Sequence, residues 1–179
     1  GIENALDTAI PATFSWNMDG FRHAKSAQYE NRYTQLAYRH ENDKYSTLSA
    51  SGDDDENEKA VEWVSYRQHF FSSILIPEQP FEQVVLSATD MTDEEVEASA
   101  YLKGFSTETS LPYDRNRFQA NFDWYMGPTD YAILKNYDEN LFESISFGWG
   151  LIGWINRSVF YPLFGFLTGI VPHGIAIIL

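Results

Sequence analysis

Two groups of residues have types that could support chemistry: an acidic run and four histidines. The run Gly-Asp-Asp-Asp-Glu-Asn-Glu at residues 52–58 begins like the D-x-D-x-N start of a calcium-binding loop. Glu58 stands where the sharp turn of such a loop needs glycine, and Val64 stands where its bidentate glutamate should be. The sequence therefore predicts a solvated acidic hairpin at this position.

The histidines offer no alternative metal or catalytic site. His23, His40, His69 and His173 follow no metal-ligand spacing, so each is expected at the surface or rim of the fold. The chain has no cysteine, which excludes thiol catalysis and cysteine-ligated zinc. It also has no nucleophile elbow, phosphate-binding loop or dinucleotide-binding motif. We therefore expect a protein that is not an enzyme and that binds no metal or cofactor.

The charges divide the 179-residue chain into two parts, which we expect to be separate domains. Residues 1–143 contain all 26 acidic and 11 of the 12 basic side chains, a formal charge of −15. Residues 144–179 contain one full charge, Arg157. A surface as acidic as that of the first part repels a polyanion, so nucleic acid is excluded as a partner. The chain opens at Gly1 with no initiator Met or signal peptide, which suggests truncation of the first part at its N-terminus.

Alternating apolar and polar residues predict that the first part is all-β. The clearest strand covers residues 117–126, and shorter runs of the same pattern begin near residues 14, 34, 84 and 96. Several short amphipathic strands separated by turn sequences favour an antiparallel β-sandwich. One short C-terminal helix is predicted at residues 128–136, because Pro128 can begin a helical turn and Asp130 is favourable near its positive end.

The second part predicts an amphipathic helix over residues 149–168. At helical spacing, Arg157, Tyr161, Thr168 and three glycines fall on one side, and apolar residues form a broad opposite face. Because aromatic side chains favour the headgroup boundary, we expect this helix to lie in a membrane interface. A buried helix of a soluble core is the alternative, since an apolar stripe does not distinguish lipid from protein. The expected membrane-interface residues are Trp149, Trp154, Phe160, Tyr161, Phe164 and Phe166.

A second apolar run follows the predicted interfacial helix. Pro172 and Gly174 interrupt helical structure, and the sequence Ile-Ala-Ile-Ile-Leu at 175–179 is apolar throughout. A spanning helix needs about 20 such residues. We therefore expect this run to be the start of a transmembrane helix.

Three motifs, at residues 63–77, 124–128 and 147–179, carry a resemblance to the YidC membrane protein insertase family. The segment Phe147-Gly148-Trp149, followed by an aromatic stretch and the run at 175–179, is similar to the place where the periplasmic domain of that family meets its membrane core. Upstream, Trp63-Val64, the Gln-His-Phe-Phe at 68–71 and Ile76-Pro77 resemble a W…Q-x-F/Y-F…I-P signature of the periplasmic domain. The sequence Trp-Tyr-Met-Gly-Pro at 124–128 resembles the strand that precedes its C-terminal helix.

The resemblance implies a fold, a location and a set of partners. The fold would be an antiparallel β-supersandwich like that of galactose-mutarotase-like proteins. The longer protein that contains this chain would be a multi-pass protein of the cell inner membrane, and this fragment would be mainly periplasmic. It would aid insertion and folding of inner-membrane proteins, alone or with the Sec translocon and its accessory subunits. Its partners would then be nascent membrane-protein clients, the lipid bilayer and Sec components.

Within that resemblance, we expect two stretches, residues 127–137 and 147–166, to couple the sandwich to the membrane. The predicted helix at 128–136 would pack on the sheet, with Gly127, Pro128, Phe147 and Gly148 as coupling residues. A different class of function is the alternative: a carbohydrate-binding or aldose-epimerase-like β-sandwich. Epimerases of that architecture use a His/Glu acid–base pair in a sheet groove, and the scattered histidines give no such pattern.

Overall fold

The computed structural model describes residues 12–42, 44–48, 51–92, 95–111, 120–145 and 155–170. The chain forms two compact units, Gly1–Ser144 and Ile145–Leu179. The predicted contact residues Phe147, Gly148, Trp149 and Trp154, together with the apolar run at 175–179, lie outside the described residues.

The first unit is an antiparallel β-sandwich, which confirms the predicted fold class. Its strands form a four-stranded sheet A, in the order β1-β8-β7-β4, and a five-stranded sheet B, in the order β3-β2-β5-β6-β9. The strands are β1 (Ala12–Phe21), β2 (Gln35–His40), β3 (Tyr45–Thr47), β4 (Asp54–Glu58), β5 (Val61–Arg67), β6 (Phe71–Pro77), β7 (Val84–Asp90), β8 (Tyr101–Leu111) and β9 (Phe122–Pro128).

The two sheets bury a core made by alternate residues of their strands. Leu36 and Tyr38 of β2 and Leu86 and Ala88 of β7 are buried in this core, as the alternating pattern predicts. Tyr66 of β5 joins the sheets, because its hydroxyl lies 2.9 Å from the Trp16 carbonyl oxygen and 2.6 Å from Thr107 Oγ1. Burial raises the pKa of this phenol, which keeps it protonated and able to donate.

Aromatic pairs join the two edge strands β1 and β9. The rings of Phe14 and Phe122 stack with centroids 5.0 Å apart, and Trp16 meets Trp124 edge to face at 5.2 Å. Such pairs add to the apolar area that each ring buries. They hold the edge of sheet A against the edge of sheet B, where no further strand of the described chain continues either sheet.

Two sequence predictions for strands need correction. Val96–Ala98 is a 3₁₀ turn, and the strand expected from residue 96 begins only at Tyr101. In β9, alternation predicts a single buried face, yet Tyr125 on the opposite face is buried while Met126 is 69% exposed. The reason is that β9 is an edge strand whose outer face is covered by later residues of the chain.

The acidic run forms an edge strand rather than the predicted hairpin. Asp54–Glu58 is β4, which pairs with β7 at one edge of sheet A. Gly52 before it has φ +73 and Ala60 after it has φ 53, so both ends turn through left-handed backbone. Charged residues on an edge strand discourage pairing with other chains.

The predicted helix at 128–136 is shorter and begins later than expected. Pro128 still belongs to β9, and the helix α2 covers Tyr131–Leu134. Asp130 is its N-cap, because its side chain accepts hydrogen bonds from the N–H groups of Ala132 and Ile133. An earlier helix, α1 (Ala27–Asn31), links β1 to β2 and was not predicted.

The second unit contains a helix that begins as a π-helix and continues as an α-helix. Asn156–Phe160 is π-helical, and α3 continues as an α-helix over Tyr161–Ile170. Pro162 lacks an N–H and its ring would meet the carbonyl of Ser158 in a regular α-helix, so a widened turn relieves that conflict. Among the described helices, none combines the length and apolar content needed to cross a membrane.

Candidate functional site

The outer face of sheet B is covered by residues 129–144, which we call the exit segment because the chain leaves the first unit through it. Leu134 of α2 and Leu141 of the following 3₁₀ turn are fully buried on this face. Trp63 of β5 is also fully buried there, and its Nε1 donates to the Glu139 carbonyl oxygen at 3.0 Å. The sandwich therefore has a third layer, which packs on the sheet as the sequence predicts for residues 128–136.

Charged side chains on β2 and β5 attach the exit segment at further points. Arg39 lies 3.1 Å from a Glu62 carboxylate oxygen and 3.4 Å from one of Glu143, and it also donates to the Glu139 carbonyl oxygen. Arg67 donates from Nη1 to the Ser144 carbonyl oxygen at 2.8 Å. These contacts fix the last residues of the first unit on the sheet.

Arg67 is a buried cation that donates three hydrogen bonds. Besides Ser144, it donates to the Tyr33 carbonyl oxygen and to the Gln35 side chain. Burial lowers the pKa of its guanidinium, while the phenols of Tyr45 and Tyr33 act in the opposite direction. A buried charge is tolerated when hydrogen bonds replace its lost hydration, and the three acceptors supply them.

Gly127 and Pro128, two predicted coupling residues, form the place where β9 turns into the exit segment. The Tyr125 hydroxyl lies over Gly127 and donates to the Pro128 carbonyl oxygen at 2.7 Å. A Cβ on Gly127 would lie 2.7 Å from that hydroxyl oxygen. The residue after them, Thr129, donates its N–H to the Phe70 carbonyl oxygen at 2.8 Å. A side chain at position 127 therefore conflicts with the contact that ends the strand.

The second unit exposes the predicted membrane-interface residues that the structure describes. Phe160, Phe164 and Phe166 are 49%, 45% and 65% exposed, and Val159 and Leu163 are exposed beside them. Tyr161 is the first residue of α3. A helix with this much exposed apolar surface is typical of one that binds a membrane or another protein. The sequence did not indicate the change to a π-helix, although Pro162 inside the apolar run was the available signal.

The histidines and acidic residues form no metal or catalytic cluster in the described part of the chain. No group of three or more metal-ligating side chains occurs there. The only His–carboxylate ion pair among those residues joins His40 Nε2 to Glu58 at 3.7 Å. Glu58 also accepts a hydrogen bond from the Tyr38 hydroxyl. An epimerase needs its acid and base on two sides of a sugar ring, so a pair in direct contact does not favour that alternative.

The fold and the exit segment define an antiparallel β-sandwich domain whose outer sheet B is covered by the segment through which the chain leaves it. A family model described as the YidC periplasmic domain matches residues 2–162. The chain belongs to this family.

Three relatives in the family match 80% to 98% of the chain. The chain is 32% identical to "Membrane protein insertase YidC" of Parabacteroides distasonis over 98% of its length, which is 28% of that protein. It is 34% identical to the protein of the same name from Azobacteroides pseudotrichonymphae over 80% of its length, 24% of the relative. It is 32% identical to the protein of the same name from Bacteroides fragilis over 87% of its length, 26% of the relative. The chain thus spans about a quarter of the length of these relatives.

Gly127→Ala is expected to destabilise the first unit. The added methyl must displace the Tyr125 ring and break its hydrogen bond to Pro128, which should lower the free energy of unfolding by about 1–3 kcal/mol. Urea unfolding followed by near-ultraviolet circular dichroism measures this. Gly165→Ala is the matched control, since a Cβ there meets nothing within 4 Å. Equal stability of Gly127→Ala and the unsubstituted protein would contradict the assigned role of Gly127.

Proposed function

We propose that this chain is the periplasmic domain of a multi-pass inner-membrane insertase that aids insertion and folding of membrane proteins. The observation that carries the proposal is the family match over residues 2–162, which includes the sandwich, the exit segment and part of the second unit. The relatives' shared name, membrane protein insertase, supports the same role. Residues 1–143 would form the periplasmic domain, and residues 144–179 would lead into the membrane.

No covalent chemistry is needed for this role. An insertase lowers the cost of moving polar groups into lipid, where each unpaired group costs several kcal/mol. The clients would be nascent inner-membrane proteins, received directly or from the Sec translocon and its accessory subunits. The acidic first unit would remain in the aqueous periplasm, because its charges are too costly to bury in lipid.

The second unit would seat the domain on the bilayer. The exposed rings of Phe160, Phe164 and Phe166 would enter the outer leaflet, together with Trp149, Trp154 and Tyr161. Burying one phenylalanine side chain contributes about 1.5–3 kcal/mol, so a few rings suffice for stable binding. The exit segment supports this arrangement, since its hydrogen bonds to sheet B would transmit the position of the helix to the sandwich. Gly127, Pro128, Phe147 and Gly148 would be the coupling residues.

Phe164→Asp combined with Phe166→Asp is expected to weaken membrane binding of the 179-residue chain. Each aspartate places a charge where an apolar ring would enter lipid, so the fraction that floats with vesicles should fall at least about tenfold. Flotation with vesicles of phosphatidylethanolamine and phosphatidylglycerol measures this fraction. Val85→Asp alters an exposed apolar residue of β7 in the first unit and should leave binding unchanged. Equal flotation of the double variant and the unsubstituted chain would refute seating by this helix.

Insertion itself is testable with the complete protein that contains this chain. Reconstituted in proteoliposomes, the protein should make a transmembrane segment of a newly synthesised client resistant to added protease. Empty liposomes are the control for spontaneous insertion. Client protection no greater than in empty liposomes would contradict the proposed activity. Photocrosslinkers on the surface of the sandwich, in cells, would identify Sec components that touch it.

A further inference from the structure

A cluster of exposed aromatic rings lies at one end of sheet B, and we call it the aromatic edge cluster. His69 stacks between Tyr33 and Phe70, with ring centroids 4.8 Å and 4.1 Å away. Tyr29 of α1 contacts both Tyr33 and His69. Phe71 follows Phe70 at the start of β6, and both phenylalanines are 60% exposed. The cluster consists of Tyr29, Tyr33, His69, Phe70 and Phe71.

The rings of Tyr29, Tyr33, His69 and Phe70 pack on one another outside the core, and Phe71 adjoins them in sequence as an exposed ring. None of the five residues belongs to the buried cluster between the sheets, and Tyr29 is 48% exposed. Single exposed apolar residues are ordinary on a protein surface, whereas adjoining ones mark a contact with a partner or a membrane. Tyrosine, with an apolar ring and a polar tip, suits the boundary between lipid and water.

Hydrogen bonds place this cluster where the chain leaves the first unit. The Arg67 guanidinium binds the carbonyl oxygen of Tyr33, inside the cluster, and that of Ser144, the last residue of the unit. The Phe70 carbonyl accepts the N–H of Thr129, at the start of the exit segment.

The segment that carries Tyr29 and Tyr33 is basic, opposite in charge to the first unit as a whole. Residues 21–33 contain the cations Arg22, Lys25 and Arg32 and one acidic residue, Glu30. Glu30 is buried, and its carboxylate accepts the N–H groups of His23 and Ala24. Lys25 and Arg32 are exposed and form no ion pair within the described residues.

One further carboxylate, that of Glu97, lies against α1 and accepts hydrogen bonds from the start of that helix. Glu97 accepts the N–H of Ala27 at 2.8 Å and the hydroxyl of Ser26 at 3.0 Å. These bonds, that of Ala27 first, lower the pKa of Glu97. Glu97 therefore serves the start of α1, while Lys25 and Arg32 present their charge to solvent.

We propose that the aromatic edge cluster is a second membrane contact, made by the sandwich itself with a bilayer that contains anionic lipid. Its rings enter the headgroup region, and Lys25 and Arg32 attract the anionic headgroups. The net charge of the domain does not prevent this, because salt screens charges beyond about 8 Å and the local cations decide the interaction. The inference rests on the proposed function for its orientation: a domain tethered at this edge presents it to the bilayer.

The absence of cysteine from the chain permits a direct test by site-specific labelling. Phe71→Cys, labelled with the environment-sensitive fluorophore NBD, is expected to shift its emission to shorter wavelength on vesicles of phosphatidylethanolamine and phosphatidylglycerol. Nitroxide-labelled lipid should quench it. Val85→Cys, with the same label on an exposed position of β7 in sheet A, is the matched control and should not respond. No shift at position 71 overturns the proposal.

The charge component is tested by reversing two cations. In the double variant Lys25→Glu with Arg32→Glu, the lipid concentration needed for the half-maximal NBD response at position 71 should rise at least about tenfold. Lys59→Glu with Lys44→Glu is the control, because it makes the same change of charge at the turns before β5 and β3. Equal loss in both double variants would mean that net charge, rather than the cations beside the cluster, governs binding.

A label at Phe164→Cys separates this inference from the proposed function. If position 164 responds to vesicles and position 71 does not, the helix seats the domain and the aromatic edge cluster is not a lipid contact. If position 71 responds and position 164 does not, the cluster is confirmed and seating by the helix is wrong. Emission at position 71 that is blue-shifted before vesicles are added would show that this chain, or a second copy, covers the cluster, and would overturn the proposal.

Discussion

The hydrogen bonds of the Arg67 guanidinium are the interaction on which the arrangement of the first unit depends. The side chain lies on the outer face of sheet B and joins the residues before β2 to the last residue of the exit segment. Losing either carbonyl oxygen would leave an N–H donor of a buried charge without its partner, which costs more than an ordinary lost hydrogen bond. The geometry of Arg67 therefore fixes where the chain leaves the sandwich.

From this constraint follows the third layer of the fold. Once Ser144 is held at Arg67 and Thr129 at Phe70, the residues between them must lie across the sheet. Their apolar members, Leu134 and Leu141, then bury the outer face that two β-sheets alone would leave exposed. The same hydrogen bonds place the aromatic edge cluster beside the end of the exit segment. The contacts that hold the exit segment on sheet B therefore also position the proposed contact with the membrane.

How far the sequence predicts this structure differs between elements. The alternation of apolar and polar residues was sufficient to predict β1 and β7, because each has one face in the core between the sheets and one toward solvent. It was insufficient for β5, whose Trp63 and Arg67 are buried on one face and Val64 and Tyr66 on the other. A strand covered on both faces has no polar side to mark it. The exit segment that covers β5 lies about 75 residues away in sequence, beyond the reach of local patterns.

The helix boundaries and the aromatic edge cluster were not predicted correctly, for more local reasons. Pro128 suits a first helical turn, yet it completes β9, and Asp130 supplies the cap. In the second unit the apolar pattern predicted a helix correctly over the described residues, while the strain of Pro162 produced a π-helical turn that periodicity does not show. The exposed rings of α3 were expected from their residue types. The aromatic edge cluster was not, because Tyr29 and Tyr33 meet His69 and Phe70 only through the fold.

Hydrogen exchange of the exit segment tests the role of Arg67 most directly. Lysine keeps the charge but cannot donate to Tyr33, Gln35 and Ser144 at once. In Arg67→Lys, amides of residues 129–145 should exchange at least about tenfold faster, while those of β7 and β8 remain protected as in the unsubstituted protein. Arg32→Lys, an exposed substitution of the same kind, should change neither. Unaltered protection of the exit segment in Arg67→Lys would contradict the account.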